Sequence, residues 1–119
     1  ECATSWLRGL SDERVGKALT LLHDRYAEPW TLETLAQEIG TSRTALAVRF
    51  KELVGEAPMA YLTRWRITRA ANRMRSERIN LSKLAESVGY NSDAVFSKAF
   101  RRITGQSPGR YRRVGSAAP

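Results

Sequence analysis

Apolar residues recur along this chain with the spacing of helix faces. Leu32, Leu35, Ala36 and Ile39 follow i, i+3, i+4, i+7, which marks one buried stripe on an α-helix. Thr31 precedes them as an N-cap, and Glu33 puts negative charge in the first turn, where the helix dipole favours it. Gly40 closes this helix, since glycine accepts the left-handed backbone of a C-terminal turn. Ser42 then caps a second helix with Leu46, Phe50, Leu53 and Val54 on its apolar face, and Gly55 stops it. A short helix, a tight glycine turn and a longer helix make a helix-turn-helix.

The same plan returns further on. Leu32, Leu35, Ala36 and Gly40 recur 49 residues later as Leu81, Leu84, Ala85 and Gly89. Phe50, Gly55, Pro58 and Tyr61 recur 50 residues later as Phe100, Gly105, Pro108 and Tyr111. Ordered identities, with one extra residue between Gly89 and Phe100 in the second copy, indicate a duplicated supersecondary unit. In the second copy Asn80 caps the helix of Leu81, Leu84, Ala85 and Val88. Either Asn91 or Ser92 caps the next, whose apolar face is read as Val95, Phe96, Phe100 and Ile103. Small Ala36 and Ala85 sit where paired helices cross closely.

The remaining elements follow from the same rules. Ser11 to Tyr26 reads as a first helix with Val15, Leu19 and Leu22 inward, and Asp12 and Glu13 suit its N-terminal dipole. Pro58 starts a long helix to about Ser76. Its inward candidates are Leu62, Trp65, Ile67, Ala70 and Met74, and its outward ones Arg64, Arg66, Arg69, Arg73 and Arg75. Ser107-Pro108 opens a last short helix through Tyr111. No segment reads as a strand. The expected fold is all-α with about seven helices. Its parts are a join over 1–10, a first helix-turn-helix subdomain over 11–57, a linker helix over 58–76, a second subdomain over 77–113 and a frayed tail over 114–119.

Composition narrows the chemistry. The 119 residues suit one domain or two small subdomains. A single cysteine, Cys2, and a single histidine, His23, leave no internal disulfide, no cysteine-built or histidine-rich metal site, and no Ser/His/Asp set. Cys2 lacks a nearby base to make it a nucleophile, and His23 and the tryptophans Trp30 and Trp65 read as surface and packing residues. No glycine-rich phosphate loop and no catalytic constellation is present, so neither an enzyme nor a cofactor is expected. No apolar run is long enough for a membrane, and the reading is of a cytoplasmic protein. The chain starts at Glu1 rather than methionine, as a piece of a longer protein would.

Charge is unevenly placed. Residues 1–40 carry net −3 and residues 41–119 net +11, within a total of +8. A polyanion would be met by the later two-thirds. Helix pairs with a glycine turn also serve purely for packing, and a basic helical face also suits an acidic protein partner. A protein-interaction module is therefore the alternative to nucleic-acid binding.

The residues resemble the DNA-binding domain of the AraC/XylS family of bacterial transcriptional regulators. The stretch from Leu84 to Arg112, with Gly89-Tyr90-Asn91-Ser92, Phe96, Phe100-Arg101-Arg102, Gly105, Ser107-Pro108 and Tyr111-Arg112, is similar to that family's signature, as is Gly55 to Arg66 with Pro58, Tyr61, Leu62 and Arg66. The resemblance spans about residues 11–113. It implies sequence-specific binding of double-stranded DNA by two helix-turn-helix subdomains, most simply in an activator that touches RNA polymerase. Trp6 to Trp30 resembles the join that follows an upstream cupin-like effector domain in some members.

The resemblance makes Thr44, Ala47 and Val48 base-reading positions in the first recognition helix. Small apolar side chains there depart from members with long polar ones. Thr44 and Val48 suit a thymine methyl and Arg43 suits guanine. In the second recognition helix the base candidates are Asp93, Ala94, Ser97 and Lys98, where Lys98 suits guanine or phosphate and Asp93 either cytosine N4 or a helix cap. Phosphate candidates are Thr31, Ser42, Arg49, Lys51, Arg66, Ser82, Arg101, Arg102 and Arg110. Arg66 alternatively makes a structural contact between subdomains. A linker helix of roughly 18 residues is about 27 Å long. With the width of the subdomains added, that suits two major-groove faces about 34 Å apart.

Overall fold

The computed structural model describes residues 12–117, with side chains over 12–113. The expected join, Cys2, Trp6, the start of the first helix at Ser11 and the last two residues of the tail lie outside the described residues. Seven helices are present among those described: α1 Glu13–Asp24, α2 Leu32–Ile39, α3 Arg43–Val54, α4 Pro58–Ser76, α5 Leu81–Ser87, α6 Asp93–Thr104 and α7 Pro108–Ala117. No strand occurs among them, and the fold is all-α. Two compact units divide inside α4, between Leu62 and Thr63.

The first unit is α1, α2, α3 and the opening turn of α4. Its core joins Val15, Ala18, Leu19 and Leu22 of α1 to Leu35, Ala36 and Ile39 of α2, Leu46, Phe50 and Val54 of α3, and Tyr61 and Leu62 of α4. Asp12 caps α1, accepting from the amides of Arg14 and Val15 at 3.0 Å each. Thr31 and Thr34 form a reciprocal capping box at the start of α2. The turn into α3 needs Gly40, which has φ of 85°. Thr41 N then donates back to Ala36 O at 3.0 Å, a bond that consumes an orphan carbonyl of the helix end.

The second unit repeats this plan. The turn after α5 holds Gly89 with φ of 101°, and Tyr90 N donates to Ala85 O at 2.9 Å, the counterpart of Thr41 on Ala36. Ser92, rather than Asn91, caps α6: its Oγ accepts from Val95 N at 3.3 Å. Ile67, Ala70 and Ala71 of α4, Leu84 and Ala85 of α5, Val88, and Phe96, Ala99 and Phe100 of α6 are buried. The duplicated aromatic pair is kept in both copies. Phe50 meets Tyr61 edge-on at 5.8 Å, and Phe100 meets Tyr111 edge-on at 5.3 Å.

Each unit needs a third helix against its helix-turn-helix, and the sequence supplies it differently. In the first unit α1 reaches Tyr61 through His23, whose Nε2 is 2.5 Å from the tyrosine Oη. In the second the later part of α4 does so: Arg75 donates to Tyr111 Oη at 2.7 Å. His23 is therefore half-buried and bonded, not a surface residue. Arg73 likewise turns inward, clamping Glu77 through two bonds of 3.0 Å and donating to Ser87 Oγ at 2.6 Å. The last helix runs past Tyr111 to Ala117, because Gly115 inside it costs only about 1 kcal/mol and does not stop a helix.

Candidate nucleic-acid interface

The core fixes which residues α3 and α6 present outward. With Leu46, Phe50 and Val54 buried, α3 exposes Arg43, Thr44, Val48, Arg49 and Lys51, and half-buries Ala47. With Phe96, Ala99 and Phe100 buried, α6 exposes Asp93, Ala94, Lys98, Arg101 and Arg102, and half-buries Ser97. Val95, read from the sequence as part of the apolar face, is 57% exposed. It lies in the first turn of α6, which turns Phe96, Ala99 and Phe100 to the core instead. The repeat carried the signal: the 50-residue offset sets Val95 against Ala45, which is also exposed.

Several candidate side chains are already engaged inside their own unit. Arg49 Nε donates to Asp12 Oδ2 at 2.9 Å. The Asp12 carboxyl is held below its ordinary pKa first by the amide of Val15 and then by Arg49. Ser82 donates its hydroxyl to Asp93, so Asp93 is not the cap of α6; Ser92 is, and the Asp93 carboxylate joins α5 to α6. Thr31 and Ser42 each use their hydroxyls on amides of their own helices. The Arg66 guanidinium lies half-buried, 5.7 Å over the Tyr90 ring. Burial pulls its pKa down and Tyr90 pulls it up, and the group stays charged. The Tyr90 hydroxyl is pushed up in turn, chiefly by burial.

Other cations are not so occupied. Arg43, Lys51, Lys98, Arg101, Arg102 and Arg110 are exposed and have no ion-pair partner among the described residues. On α3 and α6 they flank short side chains: Thr44, Ala47 and Val48 on one, Ala94, Val95 and Ser97 on the other. Each helix thus offers cations for an anionic backbone around a low surface that close-approaching base edges can reach. Among the described residues no group of three or more His, Cys, Asp or Glu side chains is placed to hold a metal ion. No helix there is long and apolar enough to cross a membrane.

Residues 35–114 match the family model described as helix-turn-helix domain. The chain belongs to the AraC-type helix-turn-helix family. It is 47% identical over 110 residues to an AraC-like transcription regulator of Streptomyces lividans, a match covering 92% of this chain and 36% of that protein. It spans about a third of the length of such relatives. The C-terminal domain of AraT, a response regulator from Geobacillus stearothermophilus, is 30% identical with a TM-score of 0.85, covering 87% of this chain and 86% of that one. The DNA-binding domain of AdpA, a global transcriptional factor solved in complex with a target DNA, is 26% identical with a TM-score of 0.85, covering 89% and 96%. The Streptomyces relative is a transcription regulator, AraT is a response regulator and AdpA a transcriptional factor with a DNA-binding domain, and the AraC-type fold accounts for the duplicated unit.

Proposed function

We propose that this AraC-type domain binds double-stranded DNA sequence-specifically, through α3 and α6, as the DNA-binding part of a longer transcription regulator. The observation that carries the reading is that the second helix of each helix-turn-helix presents free cations beside small side chains. The AdpA domain, similar in fold over most of both chains, is known on its target DNA. Base edges fall to Arg43, Thr44, Ala47 and Val48 on α3 and to Ala94, Ser97 and Lys98 on α6. Phosphates fall to Lys51, Arg101, Arg102 and Arg110 and to the amides at the helix starts of Thr31 and Ser42. Arg49, Arg66, Ser82 and Asp93 reach DNA only by giving up the partners described above. The domain acts by binding and needs no catalytic group. An upstream effector domain, contact with RNA polymerase as an activator, and a place on the nucleoid in the cytoplasm complete the proposal.

Selection of bound duplexes from a random pool tests it. The expected product is an asymmetric site of about 20 base pairs with two different half-elements one helical turn apart. A pool with no enriched motif at physiological salt rejects the reading and leaves the basic face for an acidic protein partner.

A further inference from the structure

Two large apolar side chains are exposed among the described residues, Val48 at 55% and Val95 at 57%. Single exposed valines need no special cause, but the setting of Val95 does. A β-branched residue on an open helix surface is a poorer helix former than alanine, and alanine holds the equivalent place in α3, at Ala45. Local stability therefore gives no reason for valine at 95. Its amide is fixed by the Ser92 cap, so the side chain leaves a rigid first turn. Ala94 and Lys98 are exposed beside it. The N-terminal turns of a recognition helix are the part that meets base edges in the major groove. A valine there forms no hydrogen bond and attracts no phosphate. The one base-edge feature it complements is the C5 methyl of thymine.

We propose that Val95 is a specificity-determining residue that reads a thymine methyl, a role that rests on the DNA-binding reading above. The duplication gives this a pattern. The 50-residue offset pairs Val95 with Ala45, and Lys98 with Val48. Both recognition helices carry one exposed valine, but α6 carries it in the first turn and α3 one turn later. The two half-elements thus place a methyl-bearing pyrimidine differently, which contributes to the asymmetry of the site.

Deoxyuridine differs from thymidine only by that methyl, so the test replaces each thymine of the selected duplex singly by deoxyuridine. The unaltered chain is expected to lose about fourfold in affinity at one of the thymines governed by Val95, the worth of one buried methyl group. Val95→Ala is expected to bind the all-thymine duplex that much more weakly, and to show no further loss at that same position. Its thermal unfolding stays close to that of the unaltered chain, since the side chain is open to solvent. A Val95→Ala chain that keeps every deoxyuridine penalty overturns the proposal, as does an unaltered chain indifferent to all of them. Failure to enrich any duplex rejects the DNA-binding reading itself. An enriched site with a flat deoxyuridine scan rejects only the role of Val95.

Discussion

Tyr61 and Tyr111 occupy equivalent places in the repeat, yet they hold chemically different partners. Tyr111 is held by the Arg75 guanidinium and Tyr61 by the His23 imidazole, and the imidazole ties its unit to pH. Burial lowers the His23 pKa from its ordinary 6.5, against a smaller upward pull from Asp24, so at neutral pH the folded ring is neutral and shares a hydrogen bond with the Tyr61 hydroxyl whose direction the tautomer sets. The unfolded chain protonates this ring near 6.5, the folded one only below that. Between those points the unfolded state holds the extra proton, so the stability is full above 6.5 and is lost as pH falls toward the folded value. The melting temperature should therefore drop as the pH falls below about 6.5, and His23→Gln should flatten that part of the profile. An unchanged slope in the variant would place the titrating group elsewhere. On the outward faces, Arg43→Ala and Lys98→Ala should each cost about 1–3 kcal/mol on the selected duplex and less on others if they touch bases. Binding isotherms on matched and scrambled duplexes separate this from a uniform loss, which would mean phosphate contacts.

Helix ends and faces were legible because local chemistry decides them. Thr31, Ser42 and Asn80 cap the helices they precede, and the core stripes of α1 to α3 are the ones their spacing marks. What the pattern missed lies where a tertiary partner intervenes. Arg66 and Arg73 look like an open basic stripe by periodicity, but Tyr90, Ser87 and Glu77 draw them in. Val95 looks inward by its apolar side chain, but α6 buries Phe96, Ala99 and Phe100 and leaves it exposed. Arg49 looks free until Asp12 is found beside it, 37 residues away. The turn glycines, by contrast, act through the backbone alone. Nothing lies within 4 Å of a Cβ built on Gly40, yet its φ is 85°. Gly40→Ala should cost about 1–2 kcal/mol from the left-handed conformation itself, measured by urea denaturation. A neutral result would mean that the turn relaxes to negative φ.

At the scale of the whole molecule, the +11 of residues 41–119 overstates what an anion can meet. Arg49 and Arg73 are paired with carboxylates within their own units, and a charge neutralised in the free protein adds little to counterion release. The salt dependence of binding counts the cations that do add to it, since each phosphate contact contributes about −0.9 to the slope of log affinity against log salt. Lys51→Ala should flatten the slope by about 0.9. Arg49→Ala, two residues away, should flatten it by clearly less, because Asp12 already offsets that charge. Asp12→Asn makes the converse case. Asparagine caps a helix about as well as aspartate, so α1 keeps its start while Arg49 is left with Glu52 alone, 3.8 Å away, and the slope should steepen. If Arg49→Ala flattens the slope as much as Lys51→Ala does, and Asp12→Asn changes nothing, then Arg49 leaves Asp12 for phosphate whenever DNA is bound, and the ion pair belongs to the free protein alone.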